Sequence, residues 1–146
     1  MITTNDKVEI WDLFARYVFT LDSGDGKGWA ECFTEDGVFI RPHGSDAAGV
    51  AAVRAVGRDE IAKVCINAYA EGDGRRRRWS GNSQIWSSTT ANDAEARSSM
   101  VLFVASGSDP AAIAVTGVFK DRLRKTDAGW LFAERALVLD VASPDA

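Results

Sequence analysis

The sequence predicts an α+β fold: a cone-shaped, curved, mixed but mostly antiparallel sheet, with about three N-terminal helices enclosing a pocket. Three observations predict it. Apolar residues recur at helical spacing through residues 3–22 and again through Asp59–Tyr69. From Arg77 to Val141 the chain alternates in long runs separated by hairpin chemistry at Asn92-Asp93, Gly107-Ser108-Asp109-Pro110 and Thr126-Asp127-Ala128-Gly129. Helices first and a meander afterwards is an α+β order, with no repeat or linker to divide it, so residues 1–146 read as one domain.

The elements follow in order. Residues 3–22 start among capping choices in Thr3–Glu9, with Asp6 and Glu9 as a box-like pair. Ile10, Leu13, Phe14, Tyr17, Val18 and Leu21 form one apolar stripe. Gly24 and Gly26 end the helix, and Asp25 caps a short one that turns Trp29 and Phe33 inward. Asp36-Gly37 reads as a turn before a strand at Val38-Phe39-Ile40, which Pro42 and Gly44 stop. Gly44–Ala52 is a surface loop, Ala52–Val56 a short strand, and Asp59–Tyr69 the third helix. Strands follow at Arg77–Ser88, Ala94–Ala105, Ala112–Lys125 and Gly129–Val141. Strands of this length coil, and a coiled sheet with helices on it encloses a cavity.

Composition narrows the function. A net charge of −4 gives no reason to expect nucleic acid as a partner. No run is long enough to span a bilayer, no leader is evident, and a cytoplasmic location is the expectation. One His and two distant cysteines, Cys32 and Cys65, both assigned to helices, make a poor ligand set, so neither metal nor other cofactor is expected. Arg75–Arg78 reads as a solvated edge.

Alternation then selects polar residues on apolar faces. Leu131, Ala133, Arg135, Leu137 and Leu139 share one face of the last strand. Ile113, Val115, Gly117, Phe119, Asp121 and Leu123 share the matching face before it, which sets Asp121 opposite Arg135. Either the two form a structural ion pair or Arg135 lines a cavity as a ligand-binding cation, and both can hold. In the first long strand Arg76, Arg78, Ser80, Asn82, Gln84 and Trp86 fall on one face. Asp22 sits at a helix break, where packing needs no carboxylate.

Three pieces, IWDLFARYVFTLDSGDGKGWAECFTEDGVF at 10–39, RWSGNSQI at 78–85 and TGVFKDRLRKTDAGWLFAER at 116–135, resemble SnoaL-like proteins of the nuclear transport factor 2-like superfamily. That resemblance implies polyketide cyclase, scytalone dehydratase or dehydrochlorinase-like chemistry, a small apolar substrate and a homodimer. In the dehydratase and dehydrochlorinase types an Asp at the helix break orients a His that removes a proton. Asp22 matches the Asp, Arg135 matches a charge-stabilising arginine, and Tyr17 stands at a pocket-lining position. Trp29, Asn82, Phe119 and Asp121 are expected to contact substrate.

The His does not match. The family arrangement of His four residues before Asn reads Arg78-Trp79-Ser80-Gly81-Asn82 here. A guanidinium cannot serve as a base, so Arg78 is expected to pair with Asp22. His43, beside Pro42 and Gly44, reads as an exposed loop residue. Two readings follow. One is a cyclase, lyase or isomerase using Asp22, Arg78, Arg135 and Tyr17. The other is a non-catalytic small-molecule-binding or protein-interaction module on the same fold.

Overall fold

The computed structural model describes residues 1–141; residues 142–146 of the expected domain lie outside it. The element order is α1 (Thr4–Asp22), α2 (Gly26–Ala30), β1 (Phe33–Arg41), β2 (Val53–Val56), α3 (Arg58–Glu71), β3 (Arg76–Ser87), β4 (Asp93–Ser106), β5 (Asp109–Thr126) and β6 (Gly129–Leu139). The strands form one open sheet in the order β2-β1-β6-β5-β4-β3. Only the β1–β6 pairing is parallel, so the sheet is mixed and mostly antiparallel, as expected.

α1 starts at a capping box, but the partners are Thr3 and Asp6 rather than Asp6 and Glu9. Thr3 Oγ1 accepts from the Asp6 amide, while Asp6 Oδ2 accepts from the Thr3 amide and hydroxyl. Asp6 Oδ1 also accepts from Lys125 Nζ at 2.8 Å and Trp130 Nε1 at 2.9 Å. One carboxylate thus ends a helix and ties it to the β5–β6 hairpin. The buried face of α1, Ile10, Leu13, Phe14, Tyr17 and Leu21, packs into a core with Trp29, Phe33, Phe119 and Phe132.

Two elements differ from expectation. α2 ends at Ala30, so Phe33 opens β1 rather than closing a helix, and Cys32 lies between the two. Asp36-Gly37 is no chain reversal but an irregularity inside β1, where pairing to β6 shifts between Phe33 and Val38. Glycine is needed at 37 because a Cβ there would lie 2.8 Å from Phe33 Cβ and 2.9 Å from Thr34 O. The end of β1 thereby extends to Arg41. α3 is fixed to the start of β1 by Arg58, whose Nε and Nη2 donate to Phe33 O.

Bulges decide which side chains face the helices. β3 spends three residue steps from Gly81 to Gln84 while β4 spends two from Ser99 to Arg97. Asn82 takes up the extra step at φ 53°, a left-handed conformation that asparagine tolerates. A second shift falls between Arg122 and Leu123, which pair with Glu134 and Phe132 and leave Ala133 unpaired. That extra residue puts Phe132, rather than Leu131 and Ala133, on the face of Arg135.

Candidate functional site

Asp22 is the last residue of α1, where the helix dipole disfavours a carboxylate by about 0.3–1 kcal/mol when exposed. It is instead matched by β3, the edge of the sheet, whose outward amides lack a strand partner. The Arg78 amide donates to Asp22 Oδ2 at 3.0 Å and Arg78 Nη1 donates to Oδ1 at 2.7 Å. The expected pairing of the two is therefore present. Their side chains retain 12% and 5% exposure, enough to meet a ligand from one side.

Arg78 is the common wall of two spaces. An open cleft of about 500 Å³ runs between the outer side of α1 and β3, lined by Trp11, Phe14, Val18, Phe19, Asp22 and Trp79 among others. Phe19 and Trp79 are among its most exposed apolar groups. Behind Arg78 lies a cavity of about 30 Å³, bounded by Tyr17, Trp29, Phe39, Arg41 and Phe119 between helices and sheet. Aromatic packing fills the rest: Tyr17 meets Trp29, Phe33, Phe119 and Phe132 at centroid distances of 5.3–6.2 Å. Burial raises the Tyr17 pKa well above its ordinary value, so its hydroxyl keeps its proton.

The site predicted from sequence divides accordingly. Asp22 and Arg78 face the cleft, whereas Tyr17, Trp29 and Phe119 reach only the small cavity. Arg135 and Asp121 reach neither. They stand opposite one another as expected, with Nε–Oδ1 at 3.0 Å and Nη2–Oδ2 at 3.3 Å, and both side chains are wholly buried. The guanidinium lies 3.7 Å from the centroid of Phe119, 4.2 Å from Tyr17, 4.3 Å from Phe132 and 5.1 Å from Phe14. Of the two readings of Arg135, the structure shows the ion pair. Burial raises the Asp121 pKa to about 6 despite Arg135 beside it.

Asn82 is also displaced. The bulge turns it outward and flips the rest of β3, so Gln84 and Trp86 pair on the solvent side with Arg97 and Glu95. Arg76 and Arg78 face inward while Arg75 and Arg77 are exposed, so the basic run is a solvated edge only at alternate positions. Arg41 was missed altogether. A strand ending at Ile40 leaves it in a loop, but β1 carries it to the border of the small cavity, while its Nε donates on the exposed side to Ala51 O.

Other candidates fall away. His43 is exposed and borders a broad opening of about 950 Å³ with the 44–52 loop and β5, sharing no wall with Asp22 or Arg78. Cys32 and Cys65 are free and buried, and burial pushes both thiols up to about 11, where they are unreactive. Among the described residues no group of three His, Cys, Asp or Glu is placed to hold a metal, and no helix is long and apolar enough to cross a membrane. The remaining chemistry is a carboxylate and a guanidinium at the head of an apolar cleft. Such a pair can hold a carbonyl oxygen, accept a proton from an adjacent carbon, or bind a charged group.

The chain is similar over nearly its whole length to several solved structures. An aspartate-to-asparagine variant of Rv3472, a function-unknown protein of Mycobacterium tuberculosis, is 30% identical over 94% of this chain and 73% of its own, at a TM-score of 0.73. A nuclear transport factor 2-like protein with a cystatin-like fold from Novosphingobium aromaticivorans is 28% identical over 97% of this chain and 86% of its own, at 0.78. A scytalone dehydratase-like protein of that organism shares the fold at 20% identity, over 95% and 89% of the two chains, at 0.71. No protein of curated function matches the chain. The SnoaL-like domain model matches residues 3–136, and the chain belongs to that family.

Proposed function

We propose that the protein is a small-molecule pocket enzyme of the cyclase, lyase or isomerase kind, taking an apolar, polyketide-like substrate into the cleft between α1 and β3. The observation that supports this is Asp22: a carboxylate at the disfavoured end of a helix, beside a guanidinium, at the head of an apolar cleft. A ketone lying along Trp79 and Phe19 would present an α-carbon to Asp22 and its oxygen to Arg78. Asp22 takes the proton, the electron pair moves onto oxygen, and Arg78 stabilises the enolate. Each Asp22 oxygen accepts one hydrogen bond from Arg78, which leaves about two of its roughly four acceptor sites for the substrate. Tyr17 acts at a remove, as part of the wall behind Arg78, with Arg135 stacked on its ring. A cytoplasmic homodimer belongs to the same reading, and the mass in solution tests the pairing.

A second reading is a binding module without chemistry, favoured by the engagement of both Asp22 oxygens. Hydrogen–deuterium exchange into 2-tetralone, followed by proton NMR, separates the two. Enolate chemistry predicts exchange above the buffer rate, returning to it in Asp22→Asn and Arg78→Met. Binding of the ketone without added exchange would leave the module as the answer.

A further inference from the structure

Arg41 is a half-buried guanidinium without a carboxylate. Its Nε donates to the Ala51 carbonyl, but among the described residues no Asp or Glu oxygen lies within 4.0 Å of it. Two of the charged groups that act on it, Arg78 and Arg76, are like-charged. Burial lowers its pKa most, and the cations Arg78 and Arg76 add to the lowering, while Tyr17 and Glu71 oppose it. Arg76 is no better matched: its Nη1 and Nη2 donate to the carbonyls of Ala68 and Gly49. Three arginines thus lie in a region where, among the described residues, Asp22, already held by Arg78, is the one carboxylate in an ion pair with any of them. Clustering cations at partial burial is unfavourable unless an anion joins them.

A second, independent feature lies in the same wall. Trp29 is wholly buried, yet its Nε1 has no hydrogen-bond acceptor. Leaving a buried donor unmatched costs about 1–3 kcal/mol. Trp29, Arg41 and Arg78 all border the 30 Å³ cavity, and nothing else on its perimeter is an acceptor-bearing acid. Since one oxygen-sized sphere needs roughly 10–15 Å³, this space takes about two, the two oxygens of a carboxylate.

We propose that the cavity behind Arg78 is a carboxylate subsite, in which Arg41, Arg78 and the Trp29 indole N–H receive the anionic end of an apolar ligand whose body lies along the cleft, the Arg78 side chain, which lines both spaces, turning aside to join them. This deepens the cleft reading and rests on it: the ligand class becomes an apolar or aromatic acid. Arg41 supplies a planar fork of donors suited to carboxylate, and the aromatic walls keep the ion pair dry enough to be strong.

Calorimetric titration with 1-naphthoate and its neutral counterpart 1-naphthalenemethanol tests this. The wild-type chain is expected to bind naphthoate about tenfold more tightly or better. Arg41→Met should bring the two ligands within about threefold by weakening naphthoate alone. Trp29→Phe keeps the ring, removes the donor and should narrow the gap in the same sense, so the question stays decidable if Arg41→Met does not fold. Equal affinities for acid and alcohol would overturn the subsite while leaving the cleft standing. A naphthoate preference that survives both variants overturns it too, and failure of both ligands to bind removes cleft and subsite together.

Discussion

Two of the molecule's Asp–Arg pairs, Asp121–Arg135 and Asp22–Arg78, are largely buried and stand in opposite settings. Asp121–Arg135 is sealed among four aromatic rings with no exposure of either side chain. Asp22–Arg78 joins a helix end to a sheet edge and keeps one side on a cleft. In the first, every direction of approach is taken by an aromatic ring or by the partner, and one guanidinium nitrogen, Arg135 Nη1, has no acceptor. In the second, the carboxylate keeps acceptor capacity toward a space large enough for a ligand. The comparison teaches that an ion pair on an apolar face is not by itself a site. What makes one is a side left open.

Breaking the sealed pair carries the largest expected effect. Arg135→Met strands Asp121 in the core and should cost about 3–5 kcal/mol. For a chain of this size that is a fall of roughly 6–20 °C in melting temperature. Replacing both partners, Asp121→Leu with Arg135→Met, should restore most of the loss, because the desolvation of two ions disappears with them. A single variant that loses less than about 1 kcal/mol would show the pair is not buried as described.

The pH dependence of stability sharpens the same contrast. Asp121 has a folded pKa raised by burial to about 6, above the unfolded carboxylate's ordinary ~3.9. Its contribution is therefore full below about pH 4 and is lost as pH rises through about 6. Asp6 runs the other way. Hydrogen bonds from Lys125 and Thr3 lower its pKa, so its contribution is present above about pH 4 and is lost as pH falls. Denaturant melts across pH 3–8 should lose their slope between about 4 and 6 in the apolar double variant, and only their acid limb in Asp6→Asn.

The open pair should respond in function more than in stability. Arg78→Met leaves Asp22 the Arg78 amide and the cleft, a loss of about 1–2 kcal/mol, while ketone exchange falls to the buffer rate. Arg78→His places an imidazole where the family resemblance leads one to expect a histidine, and should give exchange with a new ionisation near ~6.5. Arg78→His with neither exchange nor that ionisation would place the chemistry away from this pair.

Much of this was legible in the sequence, and the gaps have separate physical causes. The helices, the hairpins, the Asp121–Arg135 register and the Asp22–Arg78 contact follow from periodicity and resemblance. Strict alternation fails after a bulge, because one extra residue exchanges the faces of everything beyond it. That is why Asn82 points to solvent and why Phe132 joins the cage around Arg135. Asn82 itself, an asparagine after a glycine in mid-strand, was the available signal. Arg41 was hidden differently: Pro42 truncated the expected strand, and with it the one cation that reaches the inner cavity from β1. The near-closure of that cavity depends on how six aromatic rings interlock, which no one-dimensional pattern records.

The smallest expected effect concerns His43, the chain's single histidine. A proton-abstracting histidine must come within hydrogen-bond reach of substrate. His43 is exposed on the loop after β1 and shares its opening with the 44–52 loop and β5, while Asp22 and Arg78 share theirs with α1. His43→Ala should therefore leave 2-tetralone exchange within about twofold of wild type and its pH profile unchanged, and should change the folding stability by no more than a surface substitution does, about 0.5 kcal/mol. An ionisation near ~6.5 in the wild-type exchange profile that vanishes in His43→Ala would reverse the assignment. The base would then be the loop imidazole, and Asp22 would join Asp121 as a structural partner of its arginine.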